Sequence, residues 1–429
     1  MLQLYQTVSK ACEINFMKKK LTILFVIAFI LRICLINVAF HGDLNNNISW
    51  GNMALHGLNG FFEKKGFQYS IPNQPPLYIL LFAVTSFIYQ GISNLSWYLN
   101  NNVGIFPSAF IWFWQDHGMI ILVKLPSIIA DLGIGYLIYK FFSKKKNQLG
   151  FKLAALWLFN PITFYNSSVW GQTDSIVNLL GLLSIYFLIN KKLIHSLLFL
   201  TLSILFKGSL AIFVPILFFY AIWQKHSLQT WVKAILISGI AITLITVWFH
   251  PGLDLPFWLI NLYTKQILPG EIGDLSANAF NFWYLINPGK VLDSIRYFSI
   301  KAHTIGYFIT LLVMFISILK LQKQKTEKRL LFSLALIALT SFLFMTRIHE
   351  RYLYPFFPVT SLLIGFIPEL IFPYLILSFI FLLNMYNLFW APGIPVLESI
   401  LKTTQLGGIL AIINLFIFAS LFIWDILKS

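Results

Sequence analysis

Long apolar runs separated by short basic clusters constrain this chain more than any other feature. The first run covers residues 21–40 and directly follows Lys18, Lys19 and Lys20. A helix of about 20 apolar residues is long enough to cross a hydrocarbon core about 30 Å thick. With 58% hydrophobic and only 11% charged residues, the chain cannot form a water-soluble globule. We therefore predict an all-α, polytopic membrane protein.

The basic clusters predict how the helices are oriented. Cytoplasmic loops carry an excess of Lys and Arg, and clusters at 18–20, 144–146, 191–192 and 320–329 alternate with apolar runs. This pattern predicts about 12 spans, a cytoplasmic tail over residues 1–20 and a transmembrane domain over 21–429. The net charge of +16 is then a topology signal, and no nucleic-acid partner is expected. Residues 41–118 and 250–302 are expected to form two large external loops.

The apolar run at 76–92 is ambiguous, because it begins at a Pro-Pro pair and could either span the membrane or lie at its surface. The interval from Ser93 to His117 contains no Lys or Arg, and a single span at 119–142 leads to the basic cluster at 144–146. Counting spans between basic clusters therefore places the run along the outer face, as an interfacial helix of the first external loop.

The run at 193–223 carries basic residues at both ends, Lys192 and Lys225. Two cytoplasmic ends require an even number of spans, so we predict a hairpin of two short helices broken at Lys207-Gly208. Each arm would be only about 20 Å long. Lys207 is therefore expected near the outer membrane face, buried in protein.

A dense charged cluster, RIHERYLYP at 347–355, lies between two apolar runs. Ions at a membrane edge are costly to hold, so they often mark a functional site, although Arg and Tyr also serve as interfacial anchors. The cations Arg347, His349 and Arg351, together with Lys207, fit a phosphate better than a carboxylate or a metal. We predict that these four residues bind a phosphate group.

Acidic residues concentrate in the predicted external loops. Asp43 follows the first span directly, and a carboxylate fixed at the membrane surface is suited to act as a general base. The turn WGQTD offers Trp170, Gln172 and Asp174, which are an indole, an amide and a carboxylate of the kind that hold a sugar. We assign these three residues and Glu350 to sugar or acceptor binding.

Seven segments in order, HGDLNNNISWGNMALHG, NQPPLYI, KLPSIIADLGIGYLIYK, FNPITFYNSSVWGQTDS, LFKGSL, NAFNFW and RIHERYLYP, resemble the GT-C integral-membrane glycosyltransferases. The resemblance is strongest to bacterial relatives of the GPI-anchor mannosyltransferases. It implies a GT-C-like bundle in the cell membrane, a polyprenyl-phosphate sugar donor, a glycan or lipid acceptor, inversion at the anomeric carbon and an active site on the non-cytoplasmic face. It also implies that the family's catalytic Asp corresponds to Asp43.

Two departures from the family pattern concern the acceptor side of the site. The residues after Asp43 are Asn45-Asn46-Asn47, where family members often have an aromatic residue or a second carboxylate, and Asn73-Gln74 stands where a Tyr is common. Asp131 also matches a family position. Either catalysis or a structural ion pair within the bundle would explain it, and Arg32 in the first span is equally ambiguous.

The resulting prediction is transfer of a hexose, with mannose expected, to a glycan or lipid acceptor. No Asp-x-Asp motif occurs, so no metal and no other cofactor are expected and nucleotide sugars are disfavoured as donors. Membrane lipids are the remaining expected partners. An oligosaccharide polymerase or ligase and a transporter or flippase of lipid-linked sugars stay open as alternatives.

Overall fold

The structure is a computed structural model that describes residues 2–143, 146–268 and 272–427, with side chains from residue 16 onward. Two members of the predicted basic cluster, Lys144 and Lys145, lie outside the described residues. The described chain is almost entirely helical, and the protein is an all-α, polytopic membrane protein, as predicted.

The helices of the first half are α1 Leu2–Leu35, α2 Asp43–Leu55, α3 Pro76–Asn102, α4 Ser108–Phe113, α5 Met119–Ser143, α6 Asn147–Leu158, α7 Pro161–Phe164, α8 Asp174–Ile189, α9 Leu193–Phe206 and α10 Val214–Trp223. Those of the second half are α11 Leu228–Thr246, α12 Leu255–Leu262, α13 Phe282–Ile286, α14 Ala302–Lys323, α15 Glu327–Phe344, α16 Phe356–Ile364, α17 Ile371–Phe389, α18 Pro395–Leu401 and α19 Thr404–Leu427. The 3-10 helices are Phe61–Glu63, Gly208–Phe213 and Pro368–Leu370, and the π-helical turns are Trp114–Gly118, Tyr165–Trp170 and Tyr263–Ile267. The strands are β1 Ser276–Ala277, β2 Arg296–Tyr297, β3 Ile300–Lys301 and β4 Ile348–His349.

Six helical segments in the described part of the chain are long and apolar enough to cross a membrane, namely 76–102, 108–143, 228–246, 302–323, 368–389 and 404–427. Shorter apolar helices cover 174–189, 193–206 and 208–223. The expected number of about 12 spans is therefore not reached by helix length alone. Breaks such as Asn160-Pro161, where a proline begins a new helix, divide the apolar runs into shorter helices.

Helix α3 differs from the short interfacial helix expected at 76–92. It continues to Asn102 over 27 residues and meets the length and composition of a membrane span. Its first turns lie beside α2, where the Tyr78 hydroxyl donates to Oδ1 of Asn47 at 2.8 Å. A side chain at Gly51 would collide with the backbone of Phe82, so glycine permits the close approach of these helices. The position of α3 along the outer face stays a prediction.

The predicted break at Lys207 is confirmed. Helix α9 ends at Phe206, Lys207 is extended with φ −160° and ψ 134°, and a 3-10 helix precedes α10. The side chain of Lys207 is buried. The apolar interior of the protein tolerates a buried ammonium group only if that group has a partner. That partner, described below, belongs to the candidate site.

The core is built around α15 and α16. Fourteen of the 18 residues of α15, and all nine residues of α16, are buried. Beside this core the guanidinium of Arg32 donates through Nε to Oδ2 of Asp131 at 3.2 Å, and both side chains are completely buried. Asp131 also accepts hydrogen bonds from Ser167, Ser175 and Tyr354 at 2.5, 2.6 and 2.9 Å. These bonds occupy both carboxylate oxygens of Asp131, an arrangement that favours the structural ion pair over a catalytic role.

The segment between α11 and α14 folds back over one end of the bundle. Strand β1 pairs in parallel with β4, which lies within the charged cluster, and β2 pairs antiparallel with β3. The backbone N–H of Arg347 also donates to the carbonyl of Asp274 at 3.1 Å. These contacts bring the second predicted external loop next to residues 347–351.

Candidate active site

A polar cavity of about 440 Å³ lies where seven parts of the chain meet. Its lining residues come from the segment between α1 and α2 with the start of α2, the segment before α3, the turn before α8, the break after α9, the loop between α11 and α14, the charged cluster, and α17. The predicted site residues that line it are Asp43, Gln172, Lys207, His349, Glu350 and Arg351. The sequence-predicted site residues that reach the cavity therefore lie together, although up to 308 positions separate them.

Asp43 begins α2 and is the most exposed carboxylate of this group, with 41% of its side chain accessible. Its Oδ2 accepts a hydrogen bond from Nε2 of Gln172 at 2.7 Å and lies 3.9 Å from Nη2 of Arg351. Burial opposes ionisation, but the charge of Arg351, the nearby His41 ring and the Gln172 hydrogen bond outweigh it, so the pKa of Asp43 lies below its ordinary value. Asp43 is therefore an ionised acceptor at neutral pH.

His41 fixes the position of Asp43. Its Nδ1 accepts the backbone N–H of Asp43 at 3.0 Å, which leaves the ring proton on Nε2 in the neutral form. Burial and the nearby charge of Arg351 lower the pKa of His41 against the opposing effect of Asp43. The ring packs against Trp170 and Phe389 at centroid distances of 5.2 and 4.8 Å.

Lys124 anchors the backbone that leads to this histidine. Its buried Nζ donates to the carbonyls of Ile36, Ala39 and Val169 at 2.8, 2.7 and 2.9 Å. Two of these carbonyls follow α1 and the third belongs to a π-helical turn, so one cation satisfies groups that helix ends leave without partners. Gly171, at φ 86°, ends that turn, and a side chain there would crowd Lys124.

Arg351 lies between two carboxylates. Its Nη1 donates to Oε1 of Glu350 at 2.6 Å, and its guanidinium lies 5.6 Å from the ring centroid of Trp170. Burial opposes the charged form, but Glu350 and Asp43 together raise the pKa of Arg351. Trp170 is fully buried and stacks on Phe389, so it supports the guanidinium and does not line the cavity.

Glu350 and Asp174 also act as partners of cations. Both are buried, and Oδ1 of Asp174 lies 2.7 Å from Nζ of Lys207. Burial raises the pKa of Glu350, but Arg351 and His349 lower it by a larger amount. The pKa of Glu350 therefore lies below its ordinary value. The predicted sugar contact is thus not supported by the placement of Asp174, which does not line the cavity.

Arg347 is not brought into the cavity. Its Nε and Nη2 donate to the two carboxylate oxygens of Asp293 at 2.8 and 3.1 Å, and Asp293 also accepts from Thr346 at 3.0 Å. The backbone of Arg347 has φ 62°, which a non-glycine residue adopts at a cost. Arg347 therefore clamps the loop before α14 to the charged cluster, an arrangement that differs from the predicted phosphate contact.

Several lining residues have no role predicted from the sequence. Asn46, Asn47 and Trp50 follow Asp43 at i+3, i+4 and i+7, and all four line the cavity from one face of α2. That spacing was a usable signal for a polar binding face. Lys290, which also lines the cavity, is exposed and forms no ion pair with a carboxylate among the described residues.

The cavity is less cationic than the sequence predicted. Arg351 and Lys207 each have a carboxylate partner, and Nδ1 of His349 lies 3.7 Å from Glu350. Arg351 and Lys207 keep further N–H groups for a ligand. Within the described residues, no group of three His, Cys, Asp or Glu side chains is arranged to hold a metal ion.

No protein-family model matches the chain. GPI mannosyltransferase 1 of Candida albicans is 30% identical over 161 residues, which cover 34% of this chain and 38% of that protein. GPI mannosyltransferase 1 of Debaryomyces hansenii is 27% identical over 200 residues, which cover 41% of this chain and 45% of that protein. The chain thus spans less than half the length of these two yeast relatives. The predicted resemblance to bacterial proteins is not tested by them.

Proposed function

We propose that this membrane protein is a glycosyltransferase that moves a mannosyl group from a polyprenyl-phosphate donor to a hydroxyl of a glycan or lipid acceptor, with inversion. The observation that carries the proposal is the pair formed by Asp43 and Arg351, an ionised carboxylate 3.9 Å from a guanidinium in a polar cavity. The names of the two yeast relatives support mannose as the sugar.

The donor phosphate is assigned to the side of the cavity that carries Arg351, Lys207, Lys290 and His349. Arg351 and Lys207 retain unused N–H groups, and Lys290 has no carboxylate partner within the described chain. Cations paired with carboxylates bind a diester less strongly than free cations do, because part of their charge is already neutralised. Lys290 therefore takes the largest share of the initial phosphate attraction.

The reaction moves one negative charge across the cavity. Asp43 accepts the proton of the acceptor hydroxyl while that oxygen attacks the anomeric carbon, and the bond from the anomeric carbon to the phosphate oxygen breaks with its electron pair leaving on the phosphate. Asp43 ends neutral and the phosphate gains a charge. Cations beside the phosphate stabilise this product-like charge more than the starting diester, and that difference lowers the barrier.

The acceptor and the sugar are assigned to the amide-rich side formed by Asn46, Asn47, Gln172 and Asn278. All four line the cavity, as does the largely buried Trp50. Amides bond hydroxyl groups as both donors and acceptors, whereas a carboxylate would only accept. A neutral glycan therefore suits this side better than a charged acceptor.

The proposal is tested with the purified full chain and short-chain polyprenyl-phosphate mannose, glucose, galactose and arabinose. The readout is the released polyprenyl phosphate, with a panel of neutral glycosides as acceptors. We expect turnover with the mannosyl donor above that with the other three, and an inverted product. Donor that crosses a vesicle membrane without being cleaved would identify a flippase and refute the proposal.

A further inference from the structure

A second cavity, of about 710 Å³, lies at the opposite end of the bundle. Helix α8 runs from Asp174, the partner of Lys207, to Ile189, which lines this second cavity. Sixteen helical residues span about 24 Å, so the cavity lies most of a membrane thickness away from the candidate active site. It does not share a residue with that site.

Four connections between helices form the cavity: the turn after α8, the turn after α10, the turn before α15 and the turn after α16. The amide of Gln224 ties two of them together by donating to the carbonyl of Leu188 at 2.8 Å. Lys191 and Lys225 have φ values of 57° and 55°. Lysine is costly in this left-handed conformation, which glycine adopts more easily. These turns nevertheless hold a lysine at each of the two positions.

The charge of the lining is strongly positive. Lys191, Lys225, Lys325 and Lys328 line the cavity together with one carboxylate, Glu327. All four lysines are exposed, and none forms an ion pair with a carboxylate among the described residues. Burial and then the charge of Lys191 lower the pKa of the neighbouring His226, consistent with a positive potential. The cavity thus offers several unneutralised ammonium groups to an anion.

The remaining lining is aromatic and apolar. Trp223, Tyr220, Ile189 and Phe366 contribute to it, and Nζ of Lys325 lies 5.9 Å from the Trp223 ring centroid. Aromatic rings with nearby ammonium groups are typical of the membrane–water boundary, where one part of a ligand is charged and the rest is apolar. A soluble anion would leave this apolar surface uncovered.

We propose that this cavity binds the phosphate head group of an anionic membrane lipid, with the glycerol and first acyl carbons against the aromatic residues. The ammonium groups of the four lysines bond the phosphate oxygens. The proposal does not depend on the glycosyltransferase proposal, because it concerns different residues at the other end of the helices.

The test uses the purified full chain in a neutral detergent, titrated with dioleoylphosphatidylglycerol or dioleoylphosphatidylcholine. Bound lipid is counted by native mass spectrometry, and the melting temperature is followed in parallel. We expect phosphatidylglycerol to bind at least about tenfold more tightly than phosphatidylcholine, because each lysine near a phosphate contributes to binding. Equal affinity for the two lipids would overturn the proposal.

Variants separate this cavity from general surface charge. The quadruple variant Lys191→Gln, Lys225→Gln, Lys325→Gln, Lys328→Gln should lose the preference, and its melting temperature in phosphatidylcholine shows that it is folded. The same four lysines changed to Arg should keep it. The control Lys18→Gln, Lys19→Gln, Lys20→Gln removes charge outside the cavity and should keep it as well.

Two results contradict the assignment. A preference that survives in the Gln variant, or that is lost equally in the control, would show that the cavity is not the site. Displacement of the lipid by millimolar inorganic phosphate would assign the lysines to a soluble anion and overturn the lipid part of the proposal.

Discussion

Replacing Arg351 by Met tests the ion pair at the centre of the candidate site. Nη1 of Arg351 lies 2.6 Å from Oε1 of Glu350, whose side chain is 1% exposed. Without the guanidinium, the remaining ion-pairing partner of this carboxylate in the described part of the chain is His349, at 3.7 Å, which is charged only when it is protonated. Removing one partner of a buried pair costs about 3–5 kcal/mol. We expect the free energy of unfolding to fall by about 3 kcal/mol, the lower limit, because His349 can compensate in part.

The same variant should change the pH profile of turnover. Arg351 lowers the pKa of Asp43 against the opposing effect of burial, so removing Arg351 raises that pKa. A base acts only when it is ionised, and activity should then be lost at a higher pH on the acid side than in the wild type. In the wild type, the stabilisation from ionised Asp43 is present above its unfolded pKa and is lost as pH falls through the lower folded pKa.

The double variant Glu350→Gln, Arg351→Met provides the control, because it removes both charges. We expect thermal unfolding in the same detergent to show most of the stability restored, while turnover stays low because the phosphate has lost a donor. The reasoning is refuted if the single variant is as stable as the wild type and the acid limb of its pH profile does not move.

Three further predictions follow from the geometry. Lys124→Met should lower the free energy of unfolding by about 3 kcal/mol, measured by thermal unfolding, because three carbonyls lose a charged donor; unchanged stability would contradict this. Lys290→Ala should raise the KM for the donor about tenfold by loss of one charge-assisted hydrogen bond, whereas Lys301→Ala, on the same loop but outside the cavity, should not; equal effects would remove Lys290 from the site. In a cysteine-free background, an impermeant thiol reagent should label Asn102→Cys from outside and Gln148→Cys only after permeabilisation. Labelling of Asn102→Cys only after permeabilisation would make α3 a span.

Much of the fold follows from local sequence signals. The break at Lys207-Gly208 was predictable because a charge and a glycine interrupt an apolar run whose two ends carry lysines. The position of Asp43 near the charged cluster was predictable in the same way. Asp43 follows the first apolar run and the charged cluster lies between two apolar runs, and both are predicted at the same membrane face. Such signals depend on residues within one or two helical turns.

The pairing of charges was not predictable, because it depends on contacts between distant segments. Arg347 and Arg351 are four residues apart and chemically alike, but Arg347 bonds Asp293 and Arg351 bonds Glu350. The two-residue strands β1 and β4 that place the loop beside Arg347 have no sequence pattern long enough to detect. The three carbonyls that Lys124 bonds likewise belong to segments distant from it in sequence.

The extent of α3 shows a second limit. The Asn and Ser residues that follow Ile92 predict an end of the helix there, but the helix continues to Asn102. Ser96 bonds the carbonyl of Ile92 at 2.6 Å and Asn102 bonds the carbonyl of Tyr98 at 2.7 Å. Polar side chains that bond a carbonyl four residues earlier are accommodated within a helix, so their appearance does not mark its end.

Turnover by Asp43→Asn tests the central claim most directly. The substitution keeps the size of the side chain and an oxygen that can accept from Gln172, but it removes the basic group. We expect kcat to fall by about 10²–10⁴ while binding of the mannosyl donor is largely retained. The control Asp254→Asn, an exposed carboxylate in the second predicted external loop that lies outside the cavity, should have normal turnover. Near-normal kcat in Asp43→Asn would contradict the assignment of Asp43 as the catalytic base.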